Sequence, residues 1–257
     1  MRWTSLCIAC LAATMLWGCS TPAPFSADAP ARGLELGVRL PAEGMRSAEI
    51  LYSHDPIVAR YQQYRGSSRK ASRRRVERRV ETDDAGNWLV QWYRLPSSAT
   101  GKPRLERSTT YHRGGDGSVL AASATGDVGS YTSIFDPPVR LSLALMKPGD
   151  RVESVFETRA VNSKGKQIDS GASSSWTEYA GRQRLITPLG TFDADMVLTH
   201  WQLDLGVGKL VRNERTWIAT ILPGRTTVVA QDITRESTFW WGTGRSSQRV
   251  VIESVVR

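Results

Sequence analysis

The most reactive side chains in this 257-residue chain belong to its three cysteines, all within the first 19 positions. Cys7 and Cys10 have the C-x-x-C spacing of redox and metal sites. Both lie in an uncharged, mostly apolar run, residues 6–16, which follows Arg2 as the apolar core of an export signal would. The run is shorter than the roughly 20 apolar residues that cross a bilayer. We therefore expect Cys7 and Cys10 to be removed with the signal and to do no chemistry afterwards.

Cys19 lies directly after this run, where a signal peptidase would cut. Leu16, Gly18 and Cys19 match the bacterial lipobox, which the junction resembles, and Trp17 departs from that pattern. The resemblance implies cleavage between Gly18 and Cys19, diacylglycerol on the Cys19 sulfur and a further chain such as palmitate on its amine. Two or more acyl chains hold a protein stably at a membrane. Because Ser20 follows, the resemblance also implies the inner leaflet of the outer membrane, facing the periplasm.

The rest of the chain divides into a tether and one domain. Residues 1–18 are the expected signal peptide, and residues 19–33, rich in Pro, Ala and Ser, are the expected lipidated N-terminus and flexible tether. In an extended state, residues 20–33 reach roughly 40 Å. Residues 34–257 are the expected single β-rich domain, which contains no cysteine and therefore depends on its core.

A basic stretch is the most unusual part of that domain. The net charge of +9 favours acidic partners, and residues 65–79 hold eight basic residues and one acid, Glu77. One interpretation is an arm that contacts anions or lipid headgroups. The other is a solvated loop and edge strand, with Val76, Arg78 and Val80 on one face. Nucleic acid is an unlikely partner because no aromatic residues interleave the charges. The candidate anion contacts are Arg69, Lys70, Arg73, Arg74, Arg75, Arg78 and Arg79.

No catalytic, metal or cofactor motif is recognisable. The chain lacks the G-x-S-x-G elbow, the P-loop and the dinucleotide fingerprint. Its histidines, His54, His112 and His200, are isolated, and the acids around Asp193 are numerous enough to pair by chance. We therefore expect a protein that is not an enzyme and that has no catalytic residue, metal or cofactor.

Strand patterns recur throughout the domain, separated by turns rich in Gly, Pro, Asp and Asn. Trp88 and Trp92 fall on one face of such a strand and Tyr93 on the other. This pattern predicts an antiparallel all-β fold, an open or half β-barrel, with a β-sandwich as the alternative. At most one or two short helices are expected. For residues 34–66, a short helix that follows the Asp55-Pro56 pair and ends near Gly66 is one interpretation, and strand before and after it is equally arguable.

The adjacent pair Trp240-Trp241 must place its two rings on opposite strand faces. One ring is therefore expected to be exposed or to lie at a pocket mouth. Trp241 is the candidate exposed aromatic residue, suited to touching a membrane or stacking on a ligand.

The second half of the chain resembles a family of exported bacterial β-proteins of unknown function. The resemblance covers about residues 135–235. It rests on the Pro-rich segment 136–150, on Thr187-Pro-Leu-Gly-Thr-Phe-Asp-Ala194, and on Trp217 in the return strand of a long hairpin. The architecture is also similar to the open barrel of periplasmic lipoprotein carriers, a likeness of fold that carries no function.

These features together imply a lipid-anchored cell-envelope lipoprotein that acts as a binding or carrier module for an amphiphilic or anionic envelope component. The expected partners are membrane lipid through acylated Cys19 and an envelope lipid, glycolipid or protein. The alternative is a structural or interaction protein of the envelope, with a filled core and a protein partner.

Overall fold

The computed structural model of the protein describes residues 33–46, 58–65, 72–83, 87–98, 100–126, 131–240 and 242–256. Every regular element within these ranges is a β-strand. The first seven strands are β1 Glu35–Leu40, β2 Met45–Arg46, β3 Val58–Arg65, β4 Ser72–Thr82, β5 Trp88–Arg94, β6 Arg104–Arg113 and β7 Val119–Thr125. The others are β8 Tyr131–Ser142, β9 Leu145–Met146, β10 Arg151–Asn162, β11 Gln167–Thr187, β12 Gly190–Leu205, β13 Gly208–Leu222, β14 Arg225–Phe239 and β15 Gly242–Val256.

Twelve of these strands form one antiparallel barrel. Strands β3 to β8 and β10 to β15 each pair with the next barrel strand along the chain, and β15 pairs with β3. The β15–β3 pairing leaves no gap in the wall, so the barrel is closed. Strand β1 pairs with residues 182–186 of β11 and is not one of the twelve barrel strands. The prediction of an antiparallel all-β barrel is confirmed, and its wall is closed where an open or half barrel was expected.

The alternation of side chains explains which residues fill the interior. On β5, Trp88 and Trp92 are buried while Tyr93 is only partly so, as their two-residue spacing predicts. On β4, Val76, Arg78 and Val80 are all buried on the inner face. Arg78 lies opposite Trp92 in the strand register, so its side chain is on the same inward side of the wall as the Trp92 ring.

The short helix expected after Pro56 is wrong for the part that the structure describes. Residues 58–65 form β3, which pairs with β4 on one side and β15 on the other. The residues from Ser47 to Ile57 lie outside the described ranges. Pairing with two neighbouring strands therefore outweighs the local helix signal.

Aromatic side chains pack across the barrel interior. The ring of Phe135 lies 5.4 Å from Phe156 and 5.5 Å from Trp201, and the ring of Tyr61 lies 5.1 Å from Trp92. These rings come from β3, β5, β8, β10 and β12, so the contacts join separate sectors of the wall. Aromatic rings thus occupy part of the barrel interior.

A two-stranded sheet covers one end of the barrel, which we call the capped end. It consists of β2 and β9, with Met45 opposite Met146. Both methionines are fully buried against inward-facing residues of the wall, including Tyr179 and Val228. Neighbouring strands of the barrel are antiparallel, so β3, β5 and β10 run in the same direction. Because β10 begins at the capped end, β3 and β5 end at the opposite end, which we call the uncapped end.

The long strands β11 to β15 also bury residues on their outer side. Met196, Trp217, Ala230 and Val251 follow one another across β12 to β15 in the register and belong to one buried cluster. These four side chains lie on the outer side of the wall, and the same buried cluster includes inward-facing residues such as Tyr61 and Val76. The chain near Gly33 also packs against this outer side. A Cβ added to Gly33 would lie 2.9 Å from the Tyr64 hydroxyl oxygen and 3.7 Å from Pro188 Cγ.

Candidate functional site

The two-residue alternation of β4 divides the predicted basic stretch between the two sides of the barrel wall. Arg74 is half-buried on the inner face, and Arg75 is exposed on the outer face. Arg79 is also on the outer side, bonded to Glu77 and lying 4.5 Å over the ring of Tyr93. Arg73 lies opposite Tyr64 in the strand register. The stretch is therefore not one continuous basic surface.

Arg78, an expected anion contact, does not lie on an exposed arm. Only 3% of its surface is exposed, and its Nη1 donates to Thr227 Oγ1 at 3.3 Å inside the barrel. The reason is that Arg78 follows the inward period of Val76 and Val80. Its guanidinium contributes to the internal structure of the barrel.

The other predicted positions cannot be placed. Arg69, Lys70 and Trp241 lie outside the described residues, as do Gly18 and Cys19 at the expected cleavage and acylation site. The segment with Arg69 and Lys70 connects β3 to β4, so both of its ends lie at the uncapped end of the barrel.

The strand register brings three arginines and one glutamate together at the uncapped end. We call Arg65, Arg74, Arg94 and Glu106 the arginine cluster. Arg65 ends β3, Arg74 lies opposite Gln63 near the start of β4, and Arg94 ends β5 opposite Val76. Glu106 lies near the start of β6, the next strand of the wall. Four consecutive strands therefore each supply one charged side chain.

Glu106 is the only acid in this cluster. Its carboxylate is buried, accepts a hydrogen bond from Arg94 Nε, and lies 3.8 Å from Arg65 Nη2. Burial lowers the pKa of the Arg74 guanidinium, the charges of Arg94 and Arg65 lower it further, and Glu106 raises it. Three positive charges thus face one negative charge, and water screens the repulsion among the partly exposed arginines only in part.

One donor of the cluster lacks a partner among the described residues. The Nε–H of Arg65 is buried and makes no hydrogen bond there. A buried donor without an acceptor costs free energy unless a ligand or water satisfies it. The cluster therefore combines excess positive charge with unused hydrogen-bonding capacity.

A second polar network lies inside the barrel, and its charged side chains have partners within the network. Arg107 Nη2 donates to Gln231 Oε1 at 3.0 Å, and Gln231 Nε2 donates to Glu214 Oε2 at 2.7 Å. Arg212 forms an ion pair with the same Glu214, and Arg107 lies 4.5 Å over the ring of Trp92. The hydrogen bond between Arg107 and Gln231 joins β6 to β14, so this network connects opposite sides of the barrel wall.

The carboxylates considered from the sequence each have a separate partner. Asp193 forms a two-point contact with Arg184, which lowers the Asp193 pKa, and Asp204 pairs with Lys209. Asp195 accepts a hydrogen bond from Tyr179 at 2.7 Å in the groove beside the capped end. These contacts fix strands to one another.

His200 and His112 also have local partners. His200 stacks on Trp176 with ring centroids 5.6 Å apart and contacts Asn213, and His112 contacts Asn87. Within the described ranges, no group of three or more His, Cys, Asp or Glu side chains could hold a metal ion.

Sequence reasoning missed Arg65, Arg94 and Glu106 as members of one site. Arg65 was at the edge of the basic stretch, and the other two lie in separate strands. The signal that could have found them is strand order, since adjacent hairpins place the end of β3 beside the start of β4 and the end of β5 beside the start of β6.

Replacing Glu106 by glutamine is expected to lower the free energy of unfolding by about 2 kcal/mol, because Arg94 and Arg65 would lose their carboxylate partner and Arg74 its nearby negative charge. The loss should shrink at high salt, which screens repulsion among the arginines. Urea unfolding at two salt concentrations measures both effects. Glu153→Gln, in an exposed pair with Arg151, is the control and should change stability little. Equal, salt-independent losses in both variants would contradict the electrostatic account.

No helix in the described ranges is both long and apolar enough to span a membrane. Comparisons with protein families, with curated proteins and with solved structures found no match for this chain.

Proposed function

We propose that the protein is a lipid-anchored lipoprotein of the bacterial cell envelope whose barrel binds an anionic envelope component. The observation that carries the binding proposal is the arginine cluster at the uncapped end, where two arginines contact one carboxylate and a third lies within electrostatic range of it. Such a site attracts negative charge and offers donors that match phosphate or carboxylate oxygens.

The packed interior favours an anion bound at the barrel end over a lipid chain held inside. Phe135, Phe156 and Trp201 occupy the space that an acyl chain would need. An amphiphile remains compatible with the site when its charged headgroup contacts the arginines and its chains stay outside the barrel. The proposed module thus binds a negatively charged group and does not enclose an apolar chain.

The anchor proposal rests on the sequence around Cys19 and on the outer wall of the barrel. Outward side chains such as Arg75, Glu153, Glu157 and Arg245 are exposed and charged, so the wall suits water. The tether of residues 20–33 would let this water-facing barrel stand off a membrane to which acylated Cys19 is attached.

The anchor is tested in a Gram-negative host by fractionation and by mass spectrometry of the mature N-terminus. The native chain should fractionate with the outer membrane and carry acyl chains on Cys19, whereas Cys19→Ser should lose both properties. Cys10→Ser is the matched control, because Cys10 lies in the expected signal, and it should leave processing intact. A mature chain with unmodified Cys19, or one that retains Met1, would refute the anchor.

The second candidate is a structural or interaction protein of the envelope with a protein partner. The observation that favours it is the buried hydrophobic core of the barrel, to which many strands contribute. Crosslinking in intact cells separates the two: a single envelope protein trapped near the uncapped end supports the second candidate. Recovery of an anionic small molecule or lipid with the purified chain, detected by native mass spectrometry, supports the first.

A further inference from the structure

We propose that Arg65, Arg74 and Arg94 form a binding site for a phosphate group that carries two negative charges. This inference rests on the proposed function of the barrel as a receptor for an anionic component, and it specifies both the site and the ligand chemistry. The shared chemistry is a phosphomonoester or inorganic phosphate, whether it comes from a lipid headgroup or from a soluble molecule.

Charge balance in the cluster matches a dianion. Glu106 contacts Arg94 and Arg65, so one negative charge offsets part of three positive ones. Arg74 lies within electrostatic range of all three other members. A phosphomonoester carries about two negative charges near neutral pH and would neutralise the remainder.

Donor geometry also favours phosphate. Guanidinium groups are planar and present parallel N–H donors that engage phosphate oxygens two at a time. The buried Arg65 Nε–H has no acceptor among the described residues. A tetrahedral phosphate has oxygens for several arginines at once, whereas the two oxygens of Glu106 already serve Arg94 and approach Arg65.

The position of the cluster limits the size of the charged group. The arginines lie on the inward face at one end of the barrel, and the Arg107–Gln231–Glu214 network lies deeper inside. A single phosphate on a small molecule or lipid can approach such a mouth. A long polyanion would instead contact outward residues such as Arg75, which belongs to the other side of β4.

The test is isothermal titration calorimetry on the full-length protein in neutral detergent micelles. The probes are inorganic phosphate, short-chain phosphatidic acid (a phosphomonoester) and short-chain phosphatidylglycerol (a singly charged diester). Phosphate and phosphatidic acid should bind and phosphatidylglycerol should bind more weakly. At least tenfold tighter binding of phosphatidic acid than of phosphate assigns the site to a lipid headgroup, and equal binding assigns it to a soluble phosphate.

The decisive variants are Arg74→Gln and Arg75→Gln, neighbours on opposite faces of β4. Arg74→Gln should weaken phosphate binding roughly tenfold to hundredfold, since hydrogen bonds to a charged group are lost. Arg75→Gln should change it less than about twofold, as an exposed charge outside the site. Arg74→Gln should also melt no lower than the native chain, because removing it relieves repulsion with Arg65 and Arg94. Arg65→Gln provides a second inward variant with the same expected loss of binding.

Equal weakening by Arg74→Gln and Arg75→Gln would overturn the inference, because it would indicate a diffuse charge effect. So would a lower melting temperature for Arg74→Gln without loss of binding, which indicates a purely structural arginine. Binding of a polycarboxylate such as polygalacturonate, but not of phosphate, would overturn this inference and leave the proposed function standing. Failure of every anion tested would remove both.

Discussion

Replacing Arg249 by methionine is expected to lower the free energy of unfolding by about 3–5 kcal/mol, measured by urea unfolding. Arg249 on β15 donates from Nε and Nη2 to the two oxygens of Asp232 on β14, at 2.6 and 2.7 Å. The two side chains are only 4% and 9% exposed. Methionine keeps most of the volume but leaves the Asp232 carboxylate buried without its cation.

The same two strands supply the control. Arg245 and Glu236 form an equivalent cross-strand pair four residues along, but their side chains are 56% and 44% exposed. Arg245→Met should therefore cost at most about 1 kcal/mol. Combining Arg249→Met with Asp232→Leu should restore most of the lost stability, since neither charge then stays buried alone. Similar losses in Arg249→Met and Arg245→Met would contradict the role of burial.

Replacing Trp217 by alanine should also cost about 3–5 kcal/mol. Trp217 is fully buried on the outer side of the β11–β15 wall, and its Nε1–H donates to Gln183 Oε1 at 3.2 Å. Removing the indole opens a cavity among residues that include Met196 and Ala230. Thermal and urea unfolding both measure the loss.

Two further variants separate packing from hydrogen bonding at Trp217. Trp217→Phe keeps most of the apolar volume and should lose only about 1 kcal/mol with the Gln183 hydrogen bond. Trp240→Ala removes a ring that is 83% exposed and should change stability by less than about 0.5 kcal/mol. The packing account fails if Trp217→Ala is no more destabilised than Trp240→Ala.

Strand content was predictable because the apolar pattern of this chain has a two-residue period. Trp88 and Trp92 were expected to share a face opposite Tyr93, and Val76, Arg78 and Val80 to share another, and the structure confirms both expectations. These predictions need only local alternation, which any strand obeys whatever its neighbours are.

The identity of β3 was not predictable in the same way. Residues 58–65 begin soon after a plausible helix cap and include no clear turn, so local signals left helix and strand both open. Their pairing partner β15 lies at the far end of the domain sequence. The hydrogen bonds that decide the conformation of β3 therefore come from residues that a local window cannot see.

The candidate site shows the same division. The sequence drew attention to the basic stretch as a block, because Arg69 to Arg79 are close in the chain. The structure selects Arg74 from that block, turns Arg75 outward and buries Arg78 elsewhere. Arg94 and Glu106 join Arg74 only through the register of β4, β5 and β6, which composition and spacing do not determine.

The seam between β15 and β3 has a consequence for how the chain reaches its folded state. Gln62 and Glu253, hydrogen-bonded across the seam at 2.8 Å, are separated by 191 positions. Contacts between such distant segments form slowly because a long loop must first be closed. Until β15 has been synthesised and paired, β3 and β14 both present open edges that can recruit other chains. The interval before the last strand arrives is therefore the period in which this protein most needs a chaperone.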